Sequence, residues 1–215
     1  MVFSKPVSTP MVDHPPLTGN SGSLLDDPAE YRLVIGSLQY LLFTRPDISY
    51  AVNKLSQYMH QPRTKHWLAA QRVLRYLSGT KNMGLFFSAL SSLSVHAFSY
   101  VDWAGEKDNY SSTGAYLVYV GSHLVSWSSK KQRRVARSST EAEYKSVSAT
   151  ASEVEWVVTL LLDYHVIRDF VQSGFLRVTH VSSKHQLADV LTKPLPRAKF
   201  LPLCIKIGLS SLGLS

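Results

Sequence analysis

Sulfur and acid are both scarce in this sequence. Cys204 is the one cysteine among 215 residues, so no disulfide can form within the chain and the paired-cysteine spacings of zinc sites are absent. The eight histidines are scattered; His180 and His185, the closest pair, miss the i, i+4 spacing of a helical metal site and read as surface or packing residues. No apolar run approaches the roughly 20 residues that span a bilayer. The opening segment is broken by Pro6, Pro10, Pro15 and Pro16 and lacks the continuous apolar core of a signal peptide. A soluble, intracellular chain with no membrane partner is the expectation. Acids number 15 against 23 Lys and Arg, a net charge of +8. That balance favours polyanionic partners, because Lys and Arg neutralise phosphates and release counterions, although a merely basic surface accounts for it as well. What the sequence does hold is ordinary: 45% hydrophobic and 18% charged residues suit a chain that buries a core. The length fits one large domain or two small ones.

Organisation changes along the chain. Residues 1–25 are rich in Pro, Ser and Gly and read as an extended arm or linker. Asp27-Pro28 then has the form of a helix start, with Asp27 as cap and Pro28 at the first helical position. Tyr31, Ile35, Leu38 and Leu42 recur at helical spacing up to Phe43, and Pro46 stops that helix. A second helix is expected from about Asp47 to His60, with Ile48, Ala51, Val52, Leu55 and Met59 on one face. A third, capped by Thr64 and closed by Gly79, carries Trp67, Ala70, Leu74 and Leu77. From Met83 the pattern turns strand-like: Met83–Ser88, Ser94–Val101, then a hairpin of Ala115–Val120 and His123–Ser128 around Gly121-Ser122. A long helix begins at Ser139 with a Ser-Thr-x-x-Glu-like start. Phe175–Val181 is expected as a further strand and Gln186–Thr192 as a short helix ended by Pro194. Strands, a helix, then a strand and a helix together indicate an α/β domain over 83–200.

Eight strings, in order, carry a resemblance. Lys5-Pro-Val-Ser-Thr-Pro-Met, Tyr31-Arg-Leu-Val-Ile-Gly-Ser-Leu-Gln-Tyr-Leu, Thr44-Arg-Pro-Asp-Ile-Ser-Tyr-Ala-Val and His66-Trp-Leu-Ala-Ala-Gln-Arg-Val-Leu-Arg-Tyr-Leu resemble the segment after the palm of copia-type reverse transcriptases. Asp102-Trp-Ala-Gly, Ser126-Trp-Ser-Ser-Lys-Lys-Gln, Ala136-Arg-Ser-Ser-Thr-Glu-Ala-Glu-Tyr and Gln186-Leu-Ala-Asp-Val-Leu-Thr-Lys-Pro-Leu resemble the ribonuclease H domain of the same retrotransposon polyprotein. The resemblance implies a helical thumb or connection remnant over 26–82. It also implies an incomplete ribonuclease H-like mixed sheet with flanking helices over 83–200, followed by a tail over 201–215. The polymerase aspartates are expected upstream of Lys5, so polymerase activity is not expected of this segment.

The activity so implied is two-metal hydrolysis of RNA in an RNA–DNA hybrid. Two Mg²⁺ about 3.5–4 Å apart activate water and stabilise the leaving oxygen. Hard Mg²⁺ ions prefer carboxylate oxygens, so the site needs several acids gathered from distant parts of the chain. The family pattern implies four. Glu143 matches the helical acid, with Glu141 the alternative, and Asp189 matches the terminal one. The other two depart from the pattern. Ser99-Tyr100-Val101-Asp102-Trp103-Ala104-Gly105 stands where the family has Ser-Asp-Ala-Asp-Trp-Ala-Gly, so Tyr100 holds the position of the first ligand. Its neutral phenol is no substitute for a carboxylate. Asp102 shares its strand face but is displaced by roughly 6–7 Å.

The third acid belongs to a strand and helix that the family carries after Leu162. Here Trp156–Leu162 runs straight into Asp163-Tyr164-His165, a gap of at least about 20–25 residues. The fused helix would run from about Ser139 to Gln172, roughly 50 Å at 1.5 Å per residue. The lost strand would leave an open sheet edge and a route to self-association. Lys130, Lys131, Arg133, Arg134 and Arg137 form a cationic run that the resemblance places beside the substrate groove, suited to phosphate contact; a solvated basic loop is the alternative. Trp103 and Trp127 read as packing residues. Three functions follow: a Mg²⁺-dependent hybrid nuclease, a catalytically dead segment that still binds nucleic acid, and a translated fragment without selected function. Two matched acids of four favour the inactive readings.

Overall fold

Apolar spacing produces the helices of the first third, and in the computed structural model they form a layer against one face of a sheet. The structure describes residues 5–89, 91–163, 181–182 and 186–211. Helix α1, Ala29–Leu41, buries Tyr31, Ile35 and Leu38, which stand one and two turns apart. Asp27 Oδ1 accepts the Ala29 N–H at 2.8 Å, as its capping role requires. The helix stops at Leu41 rather than Phe43 because Leu42–Thr44 turns back. That turn leaves the Leu42 carbonyl free to accept Trp127 Nε1–H at 2.9 Å. Pro46–Ile48 is a 3-10 turn, and α2 covers Ser49–Ser56, shorter than the expected Asp47–His60.

Helix α3 is Thr64–Gly79, but Thr64 is not its cap. Arg63 holds that position, its N–H accepted by His66 Nδ1 at 3.0 Å. Thr64 instead lies inside the first turn and gives its N–H to the Ser23 carbonyl at 2.9 Å. The proline-rich arm is therefore no free linker. Arg72 holds Thr9 through both its carbonyl and its hydroxyl, Arg75 holds the Lys5 carbonyl, and His66 Nε2–H donates to Thr18 O at 2.8 Å. With both ring nitrogens so engaged, His66 is held neutral, and burial lowers its pKa in the same sense.

Three strands form the sheet: β2 (Val95–Asp102), β3 (Thr113–Val120) and β4 (His123–Lys131), in the order β2-β3-β4 and antiparallel throughout. The expected hairpin is present, with Gly121 at φ +59. A residue with a Cβ would be strained there. The short strand β1 (Met83–Leu85) lies apart and pairs with β5 (Leu209–Ser211). The expected mixed sheet is thus antiparallel among the described residues. Its parallel member, Phe175–Val181, lies outside them apart from Val181, as does the helix beyond Asp163.

Alternation along β3 divides the interior. Ala115, Leu117 and Tyr119 join the helical layer, whereas Tyr116 and Val118 face α4 (Ser139–Asp163) with Val154 and Val157. One buried cluster links Tyr31, Ile35, Leu55, Val73 and Tyr76 to Leu117, Leu191, Phe200, Ile207 and Leu209. Among the described residues this core therefore continues across 82/83. The described part of the expected tail, 201–211, is folded. Helix α5 (Arg197–Lys206) and β5 fold back because Phe200, Cys204, Ile207 and Leu209 all find places in that core. Each such apolar side chain contributes about 1.5–3 kcal/mol on full burial. Among the described residues no helix is long and apolar enough to cross a membrane.

Candidate functional site

Strand alternation decides which acids can meet. Ser99 and Val101 of β2 face α4: Ser99 Oγ lies 2.9 Å from Ser146 Oγ, and Val101 packs with Ala142. Tyr100 therefore points to the opposite face, where it packs with the main core. Lys193 meets it there. The Lys193 ammonium lies 3.3 Å from Tyr100 Oη, 4.9 Å from its ring centroid, and 3.2 Å from Asp189 Oδ1. Asp189 itself sits in the 3-10 turn Leu187–Leu191, whose start is capped by Gln186. Gln186 Nε2 also donates to the Ser99 carbonyl at 3.1 Å, so it covers part of the β2 edge that has no strand partner among the described residues.

Electrostatics join Asp102 to this group. Burial raises the pKa of the Asp102 carboxyl, Lys193 pulls it back, and Glu106 and Asp189 push it up further. The Lys193 ammonium is discouraged by its own burial, yet Asp189 and Tyr100 outweigh that and raise its pKa. Asp189 Oδ1 is ion-paired to Lys193 but accepts no hydrogen bond.

Glu143 stays apart. It is exposed on α4, beside the buried stripe Ala142, Ser146 and Thr150, across the sheet from Tyr100. Glu141, its alternative, is occupied at the helix start. One carboxylate oxygen accepts the Arg137 N–H at 2.8 Å, the other holds Lys145 Nζ at 2.6 Å, and the Lys145 contact leads in lowering its pKa. Asp163 ends α4. Among the described residues no three His, Cys, Asp or Glu side chains are grouped to hold a metal. The Asp189 oxygen that accepts no hydrogen bond is suited to a cation, and Lys193 already stands beside it. With Glu106 paired to Lys54, Asp102, Asp189 and Lys193 leave about one negative charge, against the four positive charges of two Mg²⁺, so the described residues here do not fit a two-metal centre.

The five expected phosphate contacts do not form one row. Lys131 Nζ donates to Gln57 Oε1 of α2 at 3.1 Å, so alternation puts Lys130, which is exposed, on the other face of β4. Arg133, Arg134 and Arg137 are exposed in the loop that follows. Trp127 packs as expected. Trp103 does not: 48% of it is open to solvent. Its Nε1–H donates to the Ala136 carbonyl at 3.3 Å, because β2 ends at Asp102 and the chain turns outward there.

Sequence reading missed Lys193, although its i, i+4 spacing from Asp189 was a usable signal. It also missed Lys54, whose buried Nζ meets Glu106 Oε2 at 2.5 Å and ties α2 to the loop after β2. No spacing rule connects those two.

A three-stranded antiparallel sheet between a long helix and a helical layer makes this an α/β protein, compatible with a partial ribonuclease H-like fold. No family model matches the chain, and no solved structure matches it. Curated sequences do. The chain is 51% identical over 245 residues to the retrovirus-related Pol polyprotein from transposon RE2 of Arabidopsis thaliana, covering 97% of this chain and 17% of that one. It is 32% identical over 245 residues to the Pol polyprotein from transposon TNT 1-94 of Nicotiana tabacum, covering 93% and 18%. A shorter relative, secreted RxLR effector protein 161 of Plasmopara viticola, is 43% identical over 128 residues, 59% of this chain and 90% of its own length. The chain belongs to the copia-type, retrovirus-related Pol polyproteins of transposons. It spans about a sixth of the length of the polyproteins it matches. The RE2 alignment runs to 245 positions, whereas 97% of this chain is about 209 residues, so that relative carries about 36 residues with no counterpart here.

Proposed function

We propose that this segment is the end of a reverse transcriptase joined to a ribonuclease H-like domain that has lost hydrolysis while keeping a surface for nucleic acid. The observation that carries the reading is the Lys193 ammonium set between Tyr100 and Asp189, with Glu143 across the sheet. In the family's chemistry, acids of the first strand, the long helix, a following strand and the terminal helix hold two Mg²⁺. Tyr100 stands in the first of those positions and offers a neutral phenol. Glu143 and Asp189 retain the second and fourth. We assign the third to residues missing after Leu162; the 36-residue excess in the alignment supports a loss of that size. Here Lys193 neutralises part of the charge that a metal pair requires, so the site is not expected to hold the ions that would activate water. Arg133, Arg134, Arg137 and Lys130 supply sequence-independent phosphate contacts.

A labelled RNA–DNA hybrid incubated with pure protein and Mg²⁺ or Mn²⁺ is the test. Wild type is expected to cleave nothing, and Tyr100→Asp is expected to restore nothing, because one regained acid does not rebuild the cluster. Metal-dependent cleavage that disappears in Glu143→Gln would overturn the reading.

A further inference from the structure

We infer that Trp103 and the Gln132–Arg137 loop form a binding site for unpaired nucleic-acid bases, with the indole as stacking surface and Arg133, Arg134 and Arg137 as phosphate contacts. The inference rests on the nucleic-acid reading above and narrows it to single strands.

An indole half open to solvent forgoes the apolar burial that usually places tryptophan inside. Here the ring is nevertheless held. Its N–H is fixed to the Ala136 carbonyl, and Ala136 is buried between Val101 and Ala142. Behind the ring the backbone is locked as well. Ala104 takes φ +53 and gives its N–H to Ser112 Oγ at 3.2 Å, while Gln132 N–H donates to Ser112 O at 2.8 Å. Ser112 thus joins the turn that carries Trp103 to the loop that carries the arginines. The Asp102 carboxylate folds beneath Gly105, where any side chain would collide with it. It is thereby drawn into the turn.

The surroundings select an anion with an aromatic face. None of Arg133, Arg134 and Arg137 has an ion-pair partner within 4 Å among the described residues. Glu141, at the start of α4 beside the loop, has its two oxygens taken by the Arg137 N–H and Lys145. A duplex presents phosphates to such a loop but hides its base faces in the stack. A single strand presents both. Aromatic platforms beside basic residues bind single strands with little sequence preference, since every base has a π-face.

Fluorescence anisotropy of the full chain, titrated into a labelled oligothymidine and into a duplex of equal length, tests this at two salt concentrations. Wild type is expected to bind the single strand more tightly. Trp103→Ala is expected to weaken single-strand binding about 5- to 100-fold and to leave duplex binding unchanged. Trp103→Phe, which keeps a ring but not the N–H, is expected to retain most of the affinity. Arg133→Ala with Arg134→Ala is expected to weaken both ligands and flatten the salt dependence. Duplex bound as tightly as single strand overturns the inference and leaves the nucleic-acid reading standing. So does a Phe variant as weak as the Ala variant when both melt with wild type. Absence of binding to either ligand at low salt overturns both.

Discussion

Each half of the molecule brings an aspartate, a cation and a tyrosine together, and the two clusters are built to different standards. In the helical half Arg45 grips Asp47 with two bonds, 3.0 and 2.7 Å, and gives two further donors to Thr80 O and Oγ1. Tyr76 Oη adds a 2.6 Å bond to Asp47 Oδ2, and the aspartate is 1% exposed. In the sheet half Lys193 stands beside Asp189 and Tyr100 at 3.2 and 3.3 Å, one carboxylate oxygen accepts no hydrogen bond, and a third of the lysine side chain meets solvent. A planar guanidinium fits a carboxylate as a fork; an ammonium is a point charge that can only approach it. The first cluster is a finished joint between the α1–α2 turn and the end of α3. The second is a looser contact in which a point charge meets the carboxylate and the phenol from one side.

The contrast predicts unequal costs of breaking each cluster. Asp47→Ala strands a buried guanidinium and the Tyr76 hydroxyl, and is expected to lower unfolding free energy in urea by about 3–5 kcal/mol. That approaches the whole stability of many domains. Lys193→Met is expected to cost about 1–2 kcal/mol in the same assay, because solvent screens the pair and only one weak hydrogen bond goes with it. Equal losses for the two variants would erase the distinction. The smallest effect belongs to Asp102. Its raised pKa means that the fold favours the protonated form, so its stability contribution is fully present below the ordinary aspartate value of about 3.9 and is lost as pH rises through the raised one. Asp102→Asn removes that loss. Thermal melts are expected to show the variant more stable than wild type at pH 7, by under about 1 kcal/mol after solvent screening, with the advantage shrinking by pH 3.5. An advantage that grows on acidification would contradict this account of Asp102.

The helices α1 and α3, the hairpin and the short turn at Asp189 were legible from spacing alone, because local periodicity and turn chemistry decide them. Thr64 as cap was not, since the arm's Ser23 carbonyl claims its N–H. Residues 201–211 read as tail because their apolar positions are too irregular to show a face; only a core already lined by Leu191 and Tyr76 gives them one. At the candidate site the sequence showed that Tyr100 lacks a carboxylate. It did not show that Lys193 stands beside it, or that β2 turns Tyr100 away from Glu143.

Family membership and the tyrosine at position 100 are written in the order of the residues, and the basic balance in their composition. The separation of Glu143 from Asp102 and Asp189, the split of Lys130 from Lys131 and the exposure of Trp103 were decided only by packing. The physical reason is the same in each case. A strand's side chains alternate between two faces, and which face meets which layer is set by burying apolar surface elsewhere in the chain.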